Sequence, residues 1–178
     1  LVLSTEKVAL VVRDPEFACL CPPGIAWLGT DDPAGVSLLD SLPSRRGMAK
    51  PERTGQHIIL TTATSGGVPR GTARGSMNMD ALAALLDVFP LHIGDTHLIA
   101  APMFHAWGWM NHRIACALGA CELFVRHKDP ERILALVASH EVEVLVTVPT
   151  VLAQILALPA TVRDQYDTSS LRCVAVSG

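Results

Sequence analysis

Charge is scarce in this 178-residue chain: Asp, Glu, Lys and Arg make up 17% of it, where about a quarter is usual for a soluble domain. The 14 basic and 17 acidic side chains leave a formal net charge of -3. No surplus of Lys and Arg is available to neutralise a phosphate backbone, so no nucleic-acid partner is expected. With 49% hydrophobic residues, the chain does not have the composition of a disordered segment either. It is long enough to bury a core, and its low charge suggests a surface normally covered in part by more chain or by a partner.

Ligand spacings are also missing. The five cysteines, Cys19, Cys21, Cys116, Cys121 and Cys173, are odd in number and contain no CxxC pair. They form neither a disulfide framework nor a zinc pattern. The seven histidines include no HExxH and no two at i, i+4 spacing, so no metal site is expected. The longest apolar stretch, Val144 to Ala160, is broken by Pro149, Gln154 and Pro159. It is too interrupted for a membrane-spanning helix and reads as strand, turn and helix. The amino terminus has no basic start followed by an apolar run and a cleavage site. A cytoplasmic location is expected, with peripheral membrane contact left open. The chain does not begin with Met, which suggests a piece of a longer reading frame.

What is present is alternation. VALVV (8–12) and GIAWL (24–28) are short apolar runs bounded by Pro, Gly and Asp, as buried strands are. Residues 43–55 crowd charges, Gly and Pro together without periodicity, the pattern of an exposed loop. From His57 onward, strand-like HIILT, HLIAA, CELFV, VEVLVTV and LRCVAVS alternate with helical DALAALLDVF, the Met110 to Leu118 region, PERILALVASHE and PTVLAQILAL. Unalternating apolar strands separated by helices predict an α/β fold, a mostly parallel sheet with flanking helices. Asp129 before Pro130 predicts a capped helix start; Thr150 after Pro149 and Asn78 or Asp80 are expected to cap others.

The text richest in chemistry is ILTTATSGGVPRGTARG, Ile59 to Gly75. Glycines let backbone N–H groups approach an anion, hydroxyls add donors, and Arg70 supplies a cation, so the composition suits a triphosphate. An ordinary Gly-rich surface turn has the same composition. Gly66 and Gly71 have Walker A spacing, but Thr72 and Ala73 stand where Lys and a hydroxyl residue belong, and no GxGxxG is present. Both phosphate-loop NTPases and dinucleotide-binding folds are thereby excluded.

ILTTATSGGVPRG resembles the phosphate-loop signature of the AMP-forming adenylate superfamily, L-T-S-G-T-T-G-x-P-K-G. APMFHAWGW (101–109) resembles the next motif of its acyl-CoA synthetase branch, and VPTVLAQIL and SSLRCVAVSG resemble the stretches that follow, in order. The resemblance implies an α/β amino-terminal domain that activates a fatty acid or other carboxylate with ATP and Mg2+ and passes the acyl adenylate to coenzyme A. It places Thr61, Thr62, Thr64, Ser65, Gly66, Arg70 and Gly71 on the phosphate and nucleotide loop. His105 falls beside the reacting carboxylate as the catalytic candidate; Trp107, Gly108, Ser177 and Gly178 fall on the acyl pocket. Arg70 stands in a Lys slot, Ala63 or Thr64 in a Gly slot, and the loop is one residue longer than the signature.

The superfamily's later acidic motif, ribose Asp, hinge and carboxy-terminal domain with its catalytic Lys would all lie beyond Gly178. The resemblance thus implies that residues 1–178 are a partial AMP-binding domain without its carboxy-terminal domain, a fragment inactive alone. A truncated non-catalytic remnant and a fatty-acyl-AMP ligase that does not use coenzyme A are the other readings.

Overall fold

The computed structural model describes residues 8–29, 57–61, 70–74 and 79–177. The expected loop 43–55 lies outside them. The chain divides into two units, Leu1–Gly55 and Gln56–Gly178.

In the first unit, β1 (Leu10–Arg13) pairs in parallel with β2 (Ala26–Gly29), Leu10 opposite Ala26. Both strands start two residues later and end one residue later than the apolar runs suggest. A 3-10 helix, Pro15–Leu20, makes the crossover, with proline at its start where no N–H is needed. The Arg13 guanidinium carbon stands 4.2 Å over the Trp27 ring, a cation–π contact that shields part of a half-exposed indole.

The second unit begins with an antiparallel pair, β3 (His57–Thr61) and β4 (Arg70–Arg74). Helix α1 (Met79–Leu86) follows. Then come β5 (Thr96–Ile99), α2 (Ala106–Ala117), β6 (Cys121–Phe124), α3 (Pro130–Ser139) and β7 (Val144–Thr147). Helix α4 (Pro149–Ala157), the short α5 (Ala160–Arg163) and β8 (Cys173–Val176) complete the described elements. Strands β5 to β8 form one sheet in the order β6-β5-β7-β8, parallel throughout. Parallel neighbours cannot be joined by a tight turn, so each connection carries a helix.

Side-chain alternation distributes the core to both faces of the sheet. Leu98 and Leu145 pack with Ile133 and Val137 of α3 and Val151 and Ile155 of α4. Ile99, Val144 and Val146 point the other way, against Ala101, Met103 and Trp107. Ile114 of α2 and Leu118 just after it pack with buried Leu82 of α1. Each fully buried aliphatic side chain of this set contributes about 1.5 to 3 kcal/mol.

Helix boundaries follow local chemistry. Asp129 caps α3: its Oδ1 accepts the Arg132 N–H at 2.8 Å. Thr150 does not cap α4. Pro149 is already helical, Val148 is the capping residue, and no side chain makes the cap bond. Asp80 lies inside the first turn of α1, and Asn78 is outside the described residues. Helix α2 starts at Ala106, four residues before the expected Met110, because the His105 side chain accepts the Trp107 N–H. It ends at Ala117 with Leu118 as its cap, and the next residue, Gly119, has a φ of +61° that suits glycine after a helix.

Candidate active site

In the four-stranded sheet the chain leaves β5 in one direction, to β6, and leaves β7 in the other, to β8. The carboxyl ends of β5 and β7, which are adjacent, are therefore a topological switch point. Connections diverge there, and a switch point of this kind is where open α/β sheets form a ligand crevice. After β5 the chain runs Ala101 to Phe104 and enters α2; after β7 it enters α4 directly.

Three sequence candidates converge on this crevice. His105 caps α2 through Nδ1, which accepts the Trp107 N–H at 3.3 Å. With Nδ1 as acceptor, the neutral ring carries its proton on Nε2. Trp107 crosses to the end of β7, its Nε1–H donating to the Thr147 carbonyl at 3.0 Å. The indole packs on the cluster of Ile99, Val144 and Val146. Asn111, nearly buried, donates Nδ2–H to the Trp107 carbonyl at 2.9 Å and holds the first turn. Gly108 is buried where α2 passes the chain leaving β5. A Cβ at this position would lie 2.4 Å from the Pro102 carbonyl oxygen, so only glycine permits this approach.

Ser177 follows the carboxyl end of β8, the strand next to β7, and is exposed. Gly178 lies outside the described residues, as do Thr62, Thr64, Ser65 and Gly66. Thr61 closes β3 and Arg70 opens β4, each the other's cross-strand partner, and Gly71 pairs with Leu60. Arg70 and Gly71 therefore belong to a strand, antiparallel to β3. This pair forms a ladder of its own, not hydrogen-bonded to the four-stranded sheet beside which α2 places His105 and Trp107.

The two ends of the sheet differ in charge. At the amino ends, Arg172 Nη2–H donates to Asp95 Oδ1 at 2.5 Å and to Glu143 Oε1 at 2.9 Å. It also meets His92. Glu143 Oε2 accepts the Thr96 N–H at 2.9 Å, and Asp95 Oδ2 the His92 N–H at 2.7 Å. This network ties β5, β7 and β8 together, and buried Asp95 depends on its pairing. Among the described residues that follow the carboxyl ends of β5, β7 and β8 the opposite holds: 100–121, 148–163 and Ser177 include no Asp or Glu, and acids return after β6 with Asp129 and Glu131. A crevice without carboxylates, bordered by the N-terminal turns of α2 and α4, is electrostatically suited to an anion.

Thr147, Asn111 and Met103 escape sequence reading. A backbone carbonyl at a strand end has no residue-type signal, and Asn111 shows only its i+4 spacing from Trp107.

Comparison with known proteins supplies the context. A family model described as AMP-binding enzyme matches residues 29–178. The chain is 28% identical over 145 residues to a methyl-dioxo-octahydro-indenyl propanoyl:CoA ligase of Mycobacterium tuberculosis, covering 81% of this chain and 28% of that protein. It is 29% identical over 132 residues to the acetyl-coenzyme A synthetase of Pasteurella multocida, covering 68% of this chain and 20% of that enzyme. The chain thus spans less than a third of the length of these curated relatives. Among solved structures, the N-terminal domain of FACL13 from Mycobacterium tuberculosis superimposes with a TM-score of 0.80 at 19% identity. That match covers 99% of this chain and 46% of the other.

Proposed function

The chain belongs to the AMP-binding enzyme family, and from that premise we propose that it is part of the adenylation domain of a fatty-acid-CoA ligase. Such a ligase joins a carboxylate to the α-phosphorus of ATP, expelling pyrophosphate, and then exchanges AMP for the thiol of coenzyme A. The observation that carries this reading is the acid-free crevice at the carboxyl ends of β5, β7 and β8, where His105 and Trp107 converge. A carboxylate and a polyphosphate repel one another, and neither tolerates a further acidic side chain nearby. Two CoA-ester-forming enzymes among the relatives support the same substrate class.

In this reading Thr61, Thr62, Thr64, Ser65, Gly66, Arg70 and Gly71 serve as the nucleotide loop. Arg70 offers a planar fork to the departing pyrophosphate where a lysine would offer a point charge. His105, its Nδ1 committed to capping α2, presents Nε2–H as a donor to the reacting carboxylate or adenylate phosphate. Trp107, Gly108, Ser177 and Gly178 bound the acyl group. Mg2+ enters with ATP as part of the substrate. Residues 1–178 act as one portion of a cytoplasmic enzyme whose remaining length completes the nucleotide site. No described helix is long and apolar enough to cross a membrane.

The test is carboxylate-dependent exchange of labelled pyrophosphate into ATP, measured on the longest natural reading frame that contains this chain. Exchange with fatty acids is expected, and Arg70→Ala should cost about 2 to 4 kcal/mol of transition-state stabilisation. No exchange with any carboxylate, in a protein that binds ATP, would replace this reading with that of a non-catalytic nucleotide-binding remnant.

A further inference from the structure

We propose that His112, Cys116 and Glu122 form a site for a zinc-type divalent cation that links α2 to β6. His112 and Cys116 are four residues apart, and on a helix that spacing puts both side chains on one face. Their face meets the sheet where Glu122, the second residue of β6, projects toward them.

The three donors close a triangle. His112 Nδ1 lies 3.2 Å from Glu122 Oε1, and Cys116 Sγ lies 3.3 Å from the same oxygen. The remaining side, Cys116 Sγ to His112 Nδ1, is 3.7 Å. A tetrahedral zinc with bonds of about 2.0 to 2.3 Å separates its ligand atoms by roughly 3.3 to 3.6 Å. The donors thus stand near coordinating distance from a common centre without a change of fold.

Chemistry and access agree with the geometry. A thiolate, a neutral imidazole and a carboxylate are the donor types a borderline cation prefers, and the two anions cancel its charge. The Cys116 thiol proton, directed at Glu122 in this structure, is released to solvent when sulfur binds the metal. Cys116 is exposed while Glu122 is nearly buried, so an ion enters from solvent and its fourth position remains with water. The His112 ring is flanked by Trp109 and Phe124, at 5.3 and 5.9 Å between ring centroids. These neighbours hold its orientation.

The site is distinct from the crevice at the strand ends. His112 is seven residues beyond His105, about 10 Å along the helix axis. Bound there, the ion fastens the far half of α2 to β6 and takes no part in acyl transfer. The absence of CxxC and of paired histidines had argued against any metal; a mixed His–Cys pair at i, i+4, completed by a distant Glu, is invisible to both patterns.

Cobalt(II) tests this on the full chain, because a thiolate on tetrahedral cobalt gives a near-ultraviolet charge-transfer band and visible ligand-field bands. Both bands are expected to saturate at one cobalt per chain and to vanish when zinc is added. Cys116→Ser should abolish the charge-transfer band although Cys19, Cys21, Cys121 and Cys173 remain. Glu122→Gln, close in shape and checked for native circular dichroism, should weaken zinc binding at least about ten-fold. Absence of the bands in the unmodified chain would overturn the proposal. So would a charge-transfer band that survives Cys116→Ser, or zinc affinity unchanged in folded Glu122→Gln.

Discussion

Gly108 and Trp107 show how one residue can be accounted for twice. The glycine is required by the backbone of Pro102, whatever lies in the crevice, since a Cβ 2.4 Å from a carbonyl oxygen has no room. Gly108→Ala should therefore cost about 1 to 3 kcal/mol, the range for overpacking, because backbone cannot step aside as a side chain can. A urea midpoint unchanged from that of the parent would show that α2 shifts freely here. Trp107 is likewise held by Thr147 and the apolar cluster before any substrate is considered. At this scale the sequence singles out residues and is silent about their neighbours. His105, Trp107 and Gly108 stand out through the resemblance of APMFHAWGW, whereas the carbonyl of Thr147 could belong to any residue at that strand end.

Elements were more legible than residues, because hydrophobic periodicity and capping are local. The Asp129–Pro130 start of α3 is a case where side chain and backbone agree: Asp129→Ala should lower stability by about 1 kcal/mol. Thr150→Ala, at a helix start without a side-chain cap bond, should lose nothing on that account. Comparing the two thermal midpoints checks the assignment, and equal losses would contradict it. The misplaced elements have physical reasons. Proline at 149 begins α4 itself and carries Thr150 inside, and HAWGW, rich in aromatics and glycine, conceals the first turn of α2. The antiparallel pairing of β3 and β4 also went unforeseen. The second strand, RGTAR, has no apolar run to mark it as a strand, so local pattern gives no partner for HIILT.

Across the whole second unit, charge gathers at the amino ends of β5, β7 and β8, and one buried titratable group feels it. His97 lies in β5 with 1% of its surface exposed, and neither ring nitrogen has a hydrogen-bond partner among the described residues. Burial pushes the imidazole below its ordinary value of 6.5, with Asp95, Glu122 and Glu143 partly opposing the effect and Arg172 adding to it. The unfolded chain then takes up this proton first, so stability falls as pH drops through about 6.5 and stops falling below the folded value. Within that window the slope from one group is at most about 1.4 kcal/mol per pH unit. His97→Leu should flatten the fall in urea midpoint between about pH 8 and pH 5; an unaltered profile would assign the proton to another histidine. The placement of β5 also has a consequence in time. It is the first strand of its sheet to be synthesised, yet its partner residues in β7 come 47 positions later, as with His97 and Val144. At about 5 to 20 residues per second, Leu98 and Ile99 wait several seconds on a ribosome before β7 exists to cover them. Until then β6 is the one neighbour available from this sheet, and the nascent chain displays an open apolar edge for which chaperones and other nascent chains compete.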